Sequence, residues 1–245
     1  MELFEDIIRQ VRQFVDARPQ RLCRAGDVQV RWPSGGRRGI VMKEDLGLEL
    51  GSPDKESVSS LLWTGDLSLV EDGTITLVGP DFSETGERSL PFGKVVLAGV
   101  EGFTEDNTHD RYRDLDLLRY DLDLKGFMIR AVSQYQKEWC RISAEAIRSG
   151  FSAPILASSV MNLFRTKGYV RSIEVIVVTS SPEDVRALRD VVAPAGRIVA
   201  AMDKMAAEMT ADCEDCEYQD VCADAEQLKA VRRSMQRRNR EVGRA

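Results

Sequence analysis

Apolar positions at the amino end recur with a helical period. Leu3, Ile7, Ile8, Val11, Phe14 and Val15 fall on one stripe of residues 3–17, which predicts an amphipathic helix. Arg18-Pro19 closes it, because a proline disfavours helix at the residue before it. From Val28 to Val78 the period shortens to two. The stretches VQVRW, GIVMK, LGLEL, DLSLVED and TITLVG read as strands, cut by Ser34-Gly35-Gly36, Gly51-Ser52-Pro53 and Asp72-Gly73. Asp72-Gly73, between two alternating runs, predicts a hairpin because both residues tolerate positive φ.

Residues 94–103 (KVVLAGVEGF) predict a buried strand, followed by an acidic segment and a helix around Asp121 to Glu138. Ser143 is a candidate N-cap for a short helix, Ala144 to Arg148, with Gly150 as its C-cap. Ser152 to Lys167 predicts another helix. Residues 172–180 (SIEVIVVTS) are β-branched and apolar on both faces, as a central strand requires. Ser181-Pro182-Glu183 starts a helix with proline in its first turn, and Met202 to Met209 continues helically with its methionines turned to the core. The pattern predicts an α/β chain, an α+β mixed sheet with packed helices, plus a C-terminal cysteine-bearing helical segment. Three parts are expected: residues 1–27 as helix and linker, 28–210 as the α/β domain, and 211–245 as the cysteine motif with a basic helix.

Size and charge narrow the classes. The 245 residues, 43% hydrophobic, suffice for a buried core. No apolar run approaches the roughly 20 residues that span a bilayer, and Met1 to Asp16 lacks a secretory apolar block, so a cytoplasmic protein with no membrane partner is expected. A net charge of −6 supplies no general attraction for nucleic acid. Lys229, Arg232, Arg233, Arg237, Arg238, Arg240 and Arg244 nevertheless crowd the last turns. They are expected to be a solvated helix or a disordered end, with a dock for an acidic partner as the alternative.

Five cysteines are present: Cys23, Cys140, Cys213, Cys216 and Cys222. An odd count, with three of them close together, fits a reduced metal-binding use better than a disulfide scaffold. Cys213, Cys216 and Cys222 are spaced C-x2-C-x5-C, which lets three thiolates converge on one centre. Cluster iron and zinc both take thiolates; the spacing favours a 4Fe–4S cluster, with zinc as the alternative. Cys140 is the first choice for a fourth ligand, Cys23 a second, and an open iron holding water or substrate a third. Asp212, Glu214, Asp215, Glu217 and Asp220 surround the motif and would lower a cluster's reduction potential.

Four colinear stretches resemble a known family. They are Lys43-Glu44-Asp45-Leu46-Gly47-Leu48-Glu49-Leu50-Gly51-Ser52-Pro53; Val70-Glu71-Asp72-Gly73 leading to Gly79-Pro80-Asp81; Trp139-Cys140-Arg141-Ile142-Ser143 with Glu145-Ala146 and Gly150-Phe151; and Val175 to Thr179 with Pro182-Glu183. In this order they resemble the β subunit of the acetyl-CoA decarbonylase/synthase complex, related to bacterial acetyl-CoA synthase, over roughly residues 38–222. The resemblance implies an α/β domain that handles CoA and a corrinoid methyl donor, with a CoA-associated tryptophan and arginines falling on Trp139 and Arg141. It also implies anaerobic one-carbon metabolism, with a corrinoid protein or a CO-dehydrogenase-like protein as partner.

The family's cysteine segment holds four cluster ligands, and a later Cys-Gly-Cys grips nickel. This sequence has three clustered cysteines and no Cys-x-Cys. A shortened relative that does not itself make acetyl-CoA is expected, acting in electron transfer, metal delivery or docking. The alternatives are a structural module stabilised by its metal and an enzyme with an open-iron site. No G-x-x-x-x-G-K-[ST] loop or G-x-G-x-x-G turn occurs. Ser34-Gly35-Gly36-Arg37-Arg38 is read as a turn, and His109, the one histidine, gives little basis for hydrolysis.

Overall fold

The computed structural model describes residues 2–36, 39–132, 137–207, 217–224 and 226–242. The chain opens with α1 (Glu5–Asp16), which buries Ile7, Ile8, Val11, Phe14 and Val15 and carries Glu5 and Asp6 in its first turn, where carboxylates complement the helix dipole. Strand β1 (Arg21–Arg24) follows. The alternating stretches at 28–32 and 39–43 are not strands. Val30, Ile40 and Met42 are exposed, and the segment is held by side-chain ties such as Trp32 Nε1 donating to the Lys125 carbonyl at 2.8 Å.

Two mixed sheets form the frame. The first has the order β1-β4-β9-β6-β3, with β3 at Ser57–Thr64, β4 at Thr74–Val78, β6 at Phe92–Val100 and β9 at Val170–Val178. Pairing is parallel for β3 with β6 and for β4 with β9, and antiparallel for β6 with β9 and β1 with β4. β9 is central, as its apolar faces require. β3 is buried at every position; its serines at 57, 59 and 60 mask it in the sequence. The second sheet has the order β5-β2-β8-β7, with β2 at Leu46–Leu50, β5 at Ser89–Leu90, β7 at Phe127–Val132 and β8 at Glu138–Ser143.

The remaining helices are α2 (Thr108–Leu117), α3 (Ala144–Arg148), α4 (Ala153–Arg165), α5 (Pro182–Ala207), α6 (Gln219–Asp224) and α7 (Glu226–Val242). Ser143 and Ser152 cap α3 and α4 by accepting from the Ala146 and Ile155 N–H groups. Neighbouring residues of a strand face opposite sides of its sheet. A Cβ on Gly93 would meet Leu188 of α5 at 2.9 Å, whereas Lys94 faces a cavity shared with Val160, Leu163 and Phe164 of α4. The first sheet therefore lies between α5 and α4. Arg12 of α1 reaches Glu174 of β9 at 2.5 Å. A cluster of buried side chains runs from Leu3 to Leu228.

Three sequence expectations change. Residues 66–72 contain a short 3-10 turn, Leu67–Leu69, capped by Asp66. Gly73 does take a positive φ of 74°, but the turn delivers the chain into β4, which pairs with β1 and β9, so no hairpin forms. The helix expected over 121–138 is replaced by β7 and the start of β8. Gly126 sits at φ 76°, and a Cβ there would lie 2.5 Å from Ser143 Oγ. That left-handed break stops any helix. The acidic segment before it supplies α2 instead. Met202 is buried and Met205 packs on the core, as expected; Met209 lies outside the described residues.

Candidate functional site

Strand β8 separates two chemistries by its alternation. Glu138, Cys140 and Ile142 are buried, while Trp139, Arg141 and Ser143 are half-buried on the other face. On that face two guanidinium groups approach the Trp139 ring, Arg141 at 5.4 Å and Arg130 of β7 at 5.7 Å from its centroid. Both are within the range of about 6 Å at which a cation is drawn to an indole. Arg141 pairs across the sheet with Glu49 of β2, its register partner, at 2.9 Å. Arg130 is exposed. The structure therefore brings Trp139 and Arg141 together and adds Arg130, a residue the sequence did not single out because the helix expected there hid the strand alternation.

On the inner face, the Cys140 thiol donates to Glu138 Oε1 at 3.5 Å. Full burial pushes its pKa well above the usual thiol range, and the neighbouring Glu138 carboxylate pushes it further. Glu138 also receives Lys94 Nζ at 2.5 Å. Burial opposes the charge on Glu138, but Lys94, joined by Arg119 and a Ser59 hydrogen bond, outweighs it and holds the carboxyl below its usual range. The Ser57 hydroxyl donates to the Glu138 carbonyl at 2.7 Å and accepts from its N–H at 3.0 Å. Sequence reasoning missed this pair as well. Its one signal is a single lysine in an otherwise uncharged nine-residue strand.

The other sulfurs are elsewhere. Cys23 lies on β1 opposite Ile75 of β4, with its pKa raised by burial and then by Asp27 and Asp81. Cys222 lies half-buried in α6 against the core. Ion pairs tie this region to α5, Arg197 with Asp220 at 2.7 Å and Lys204 with Glu217 at 3.4 Å. Cys213 and Cys216 fall outside the described residues. Among the described residues no three His, Cys, Asp or Glu side chains are placed to hold a metal ion. No described helix is long and apolar enough to cross a membrane.

Two minor candidates resolve as structure. The Gly36 N–H donates to Asp123 Oδ2 at 3.1 Å and to Ser34 Oγ at 3.2 Å, so this glycine-rich turn directs its donor to a carboxylate of the chain. His109 Nε2 lies 2.9 Å from Asp203 Oδ1 and bridges α2 to α5.

A sequence profile of the CO dehydrogenase/acetyl-CoA synthase complex beta subunit matches residues 35–185, more than half of the chain. The chain belongs to this family. Individual members agree. It is 27% identical over 149 residues to the acetyl-CoA decarbonylase/synthase complex subunit beta of Archaeoglobus fulgidus, covering 57% of this chain and 26% of that protein. The subunit beta 1 of Methanosarcina thermophila is 27% identical over 152 residues, covering 58% and 30%. The subunit beta of Methanothermobacter thermautotrophicus is 34% identical over 113 residues, covering 45% and 24%. The chain thus matches under a third of the length of these relatives. The span shared with the acetyl-CoA synthase family runs from the segment before β2 to the start of α5. It includes Arg130, Trp139 and Arg141 and stops before Cys213.

Proposed function

We propose that the chain is a CoA-binding relative of the acetyl-CoA synthase β subunit that serves anaerobic one-carbon metabolism as an accessory or docking component. The observation that carries this reading is the Trp139 indole flanked by Arg130 and Arg141 on the outer face of β8. An indole face stacks on adenine, and guanidinium groups supply bidentate donors to phosphate. That combination suits the nucleotide end of CoA rather than its thiol end. Competition tests the reading: adenosine 3′,5′-bisphosphate should displace CoA, and pantetheine should not. Displacement by pantetheine alone would overturn it.

The iron–sulfur centre belongs to the same proposal. Cys213, Cys216 and Cys222 supply three thiolate ligands of the type a 4Fe–4S cluster takes. What supports leaving Cys140 out of that set is its environment, a fully buried thiol against a carboxylate, which favours the protonated form over the ligating thiolate. Cys23 or an open iron position then completes the cluster. The sequence contains no Cys-x-Cys, so these residues bring no counterpart to the family's nickel-gripping tripeptide. When bound, the cluster would supply electron transfer or a Lewis-acidic iron, with Cys222 offered from α6, which Arg197–Asp220 ties to α5. Anchoring of residues 217–224 by Arg197–Asp220 and Lys204–Glu217 favours one second reading, a metal that only fixes the C-terminal segment, zinc included.

The relatives are named as subunits of a complex and the family description names CO dehydrogenase, which supports a partner of the CO dehydrogenase class; a corrinoid protein is the partner that the family resemblance adds. Arg233 and Arg237, exposed on α7 one helical turn apart, would offer such a partner a basic face.

A further inference from the structure

The outer face of β8 continues past Arg141. Its next outward residue is Ser143, four positions beyond Trp139, or about 13 Å along an extended strand. Strand β7 keeps step with it. Arg130 sits in the register shift between Ile129 and Ala131, and Met128 pairs with Arg141. One rung further, the Ser143 N–H donates to the Gly126 carbonyl at 2.8 Å. The same face therefore runs in three rungs from the tryptophan and its arginines to Gly126 and Ser143.

Both residues of the last rung line a cavity of about 630 Å³, within the range of about 300–1,000 Å³ typical of small-molecule sites. One wall is apolar, made by Val30, Trp32, Ile40 and Val41. Val30 and Ile40 are 58% and 66% exposed, so a ligand seated against them would remove apolar surface from water. The rest of the lining carries Lys125 and Arg148 against Glu44, Asp45 and Glu145, and Lys125 is engaged with Glu145 at 2.9 Å. Two cations against three carboxylates give a phosphate no net attraction here. An uncharged chain with amide groups and methyls suits both walls.

We infer that this cavity takes the thiol end of the pantetheine arm of CoA. The inference rests on the CoA reading and extends it from the nucleotide to the other end of the molecule. The arm has about twelve chain atoms, the contour of about four extended residues, which matches the spacing from Trp139 to Ser143. With the phosphates beside Arg130 and Arg141, the arm crosses the rung of Met128 and enters the cavity at Gly126 and Ser143. Charge sets this direction, since the arginines lie at one end and the surplus of carboxylates at the other. Free pantetheine lacks the nucleotide anchor; the arm gains its contacts through the effective concentration that the tether supplies.

The test is a calorimetric comparison of CoA with adenosine 3′,5′-bisphosphate, which has no arm, on the full chain. CoA should bind about tenfold more tightly than the bisphosphate. Ile40→Asn, a change at an exposed position, should remove most of that advantage and leave the affinity for the bisphosphate unchanged. Amide NMR shifts at Ala144 and Ser149 should follow CoA and not the bisphosphate. Equal affinity for the two ligands in the unmodified protein, or the same shifts with both, would overturn the inference while leaving the nucleotide site standing. Binding of neither ligand would overturn the CoA reading and the inference together. The two-ligand comparison needs only the unmodified chain, so it decides the question even if the variant does not fold.

Discussion

Lys94 of β6 and Glu138 of β8 meet at 2.5 Å across 44 residues of sequence, and this ion pair ties the two sheets to each other. Both side chains are almost fully buried, 6% and 0% exposed. A pair in that setting adds little over an apolar substitute, but removing one partner strands the other charge. Lys94→Met should therefore lower unfolding free energy by about 3–5 kcal/mol, read from urea denaturation. Adding Glu138→Gln to it should cost less than the sum of the two single changes. Additive losses would show that the two residues act separately.

Beside that pair the backbone leaves no room. Gly51 has φ 60°, and a Cβ on it would lie 2.5 Å from the Glu138 carbonyl oxygen and 2.6 Å from Ser57 Oγ. Gly51→Ala combines left-handed strain with a clash against backbone. A loss of at least about 1–3 kcal/mol is expected, and a neutral result in thermal or urea unfolding would contradict the described junction.

Acid should loosen the fold through carboxylates whose pKa lies low. The Arg21 hydrogen bond, followed by the Asp81 N–H, pulls Glu84 down to about 2. Hydrogen bonds from Lys167 and Tyr169 lower Asp114. Burial opposes ionisation of Asp184, but Ser180 and Arg18 overcome it. For a depressed carboxylate the stabilisation is present above the unfolded pKa and fades as pH falls through the folded value. Glu174, raised by burial, acts in the opposite sense and offsets part of the loss. The urea midpoint should fall steadily between about pH 5 and pH 2; a flat or rising midpoint would count against these pairings.

Much of the frame was legible because periodicity reports burial. α1, α4 and β9 each show their pattern openly, and Ser143 and Ser152 announce the helices they cap. The failures have distinct physical causes. Val30, Ile40 and Met42 alternate as a strand does yet are exposed, since among the described residues no neighbouring backbone pairs with theirs as a ladder. Ser57, Ser59 and Ser60 disguise a strand whose burial comes from the tertiary fold. Gly126 breaks the helix expected over 121–138, and with it went the alternation that places Trp139 outside and Glu138 inside. The tryptophan and Arg141 were recognised through family resemblance. Arg130 and Lys94 became visible only when strand pairing brought them to their partners.

Iron content tests the sulfur motif directly. Anaerobically purified protein should carry about four irons and four sulfides per chain if a 4Fe–4S cluster forms. Cys222→Ser should lower both, whereas Cys140→Ser should leave them unchanged. One zinc and no sulfide would favour the structural reading, and loss of iron with Cys140→Ser would restore that thiol to the ligand set.

The claim on which the functional account rests is that β8 presents Trp139 and its arginines to CoA. Calorimetric titration of CoA into the unmodified protein and into Trp139→Ala and Arg130→Ala tests it most directly. Saturable binding to the unmodified chain, weakened at least about tenfold by either change, is the result predicted. No binding, or equal affinity in all three proteins, would contradict it.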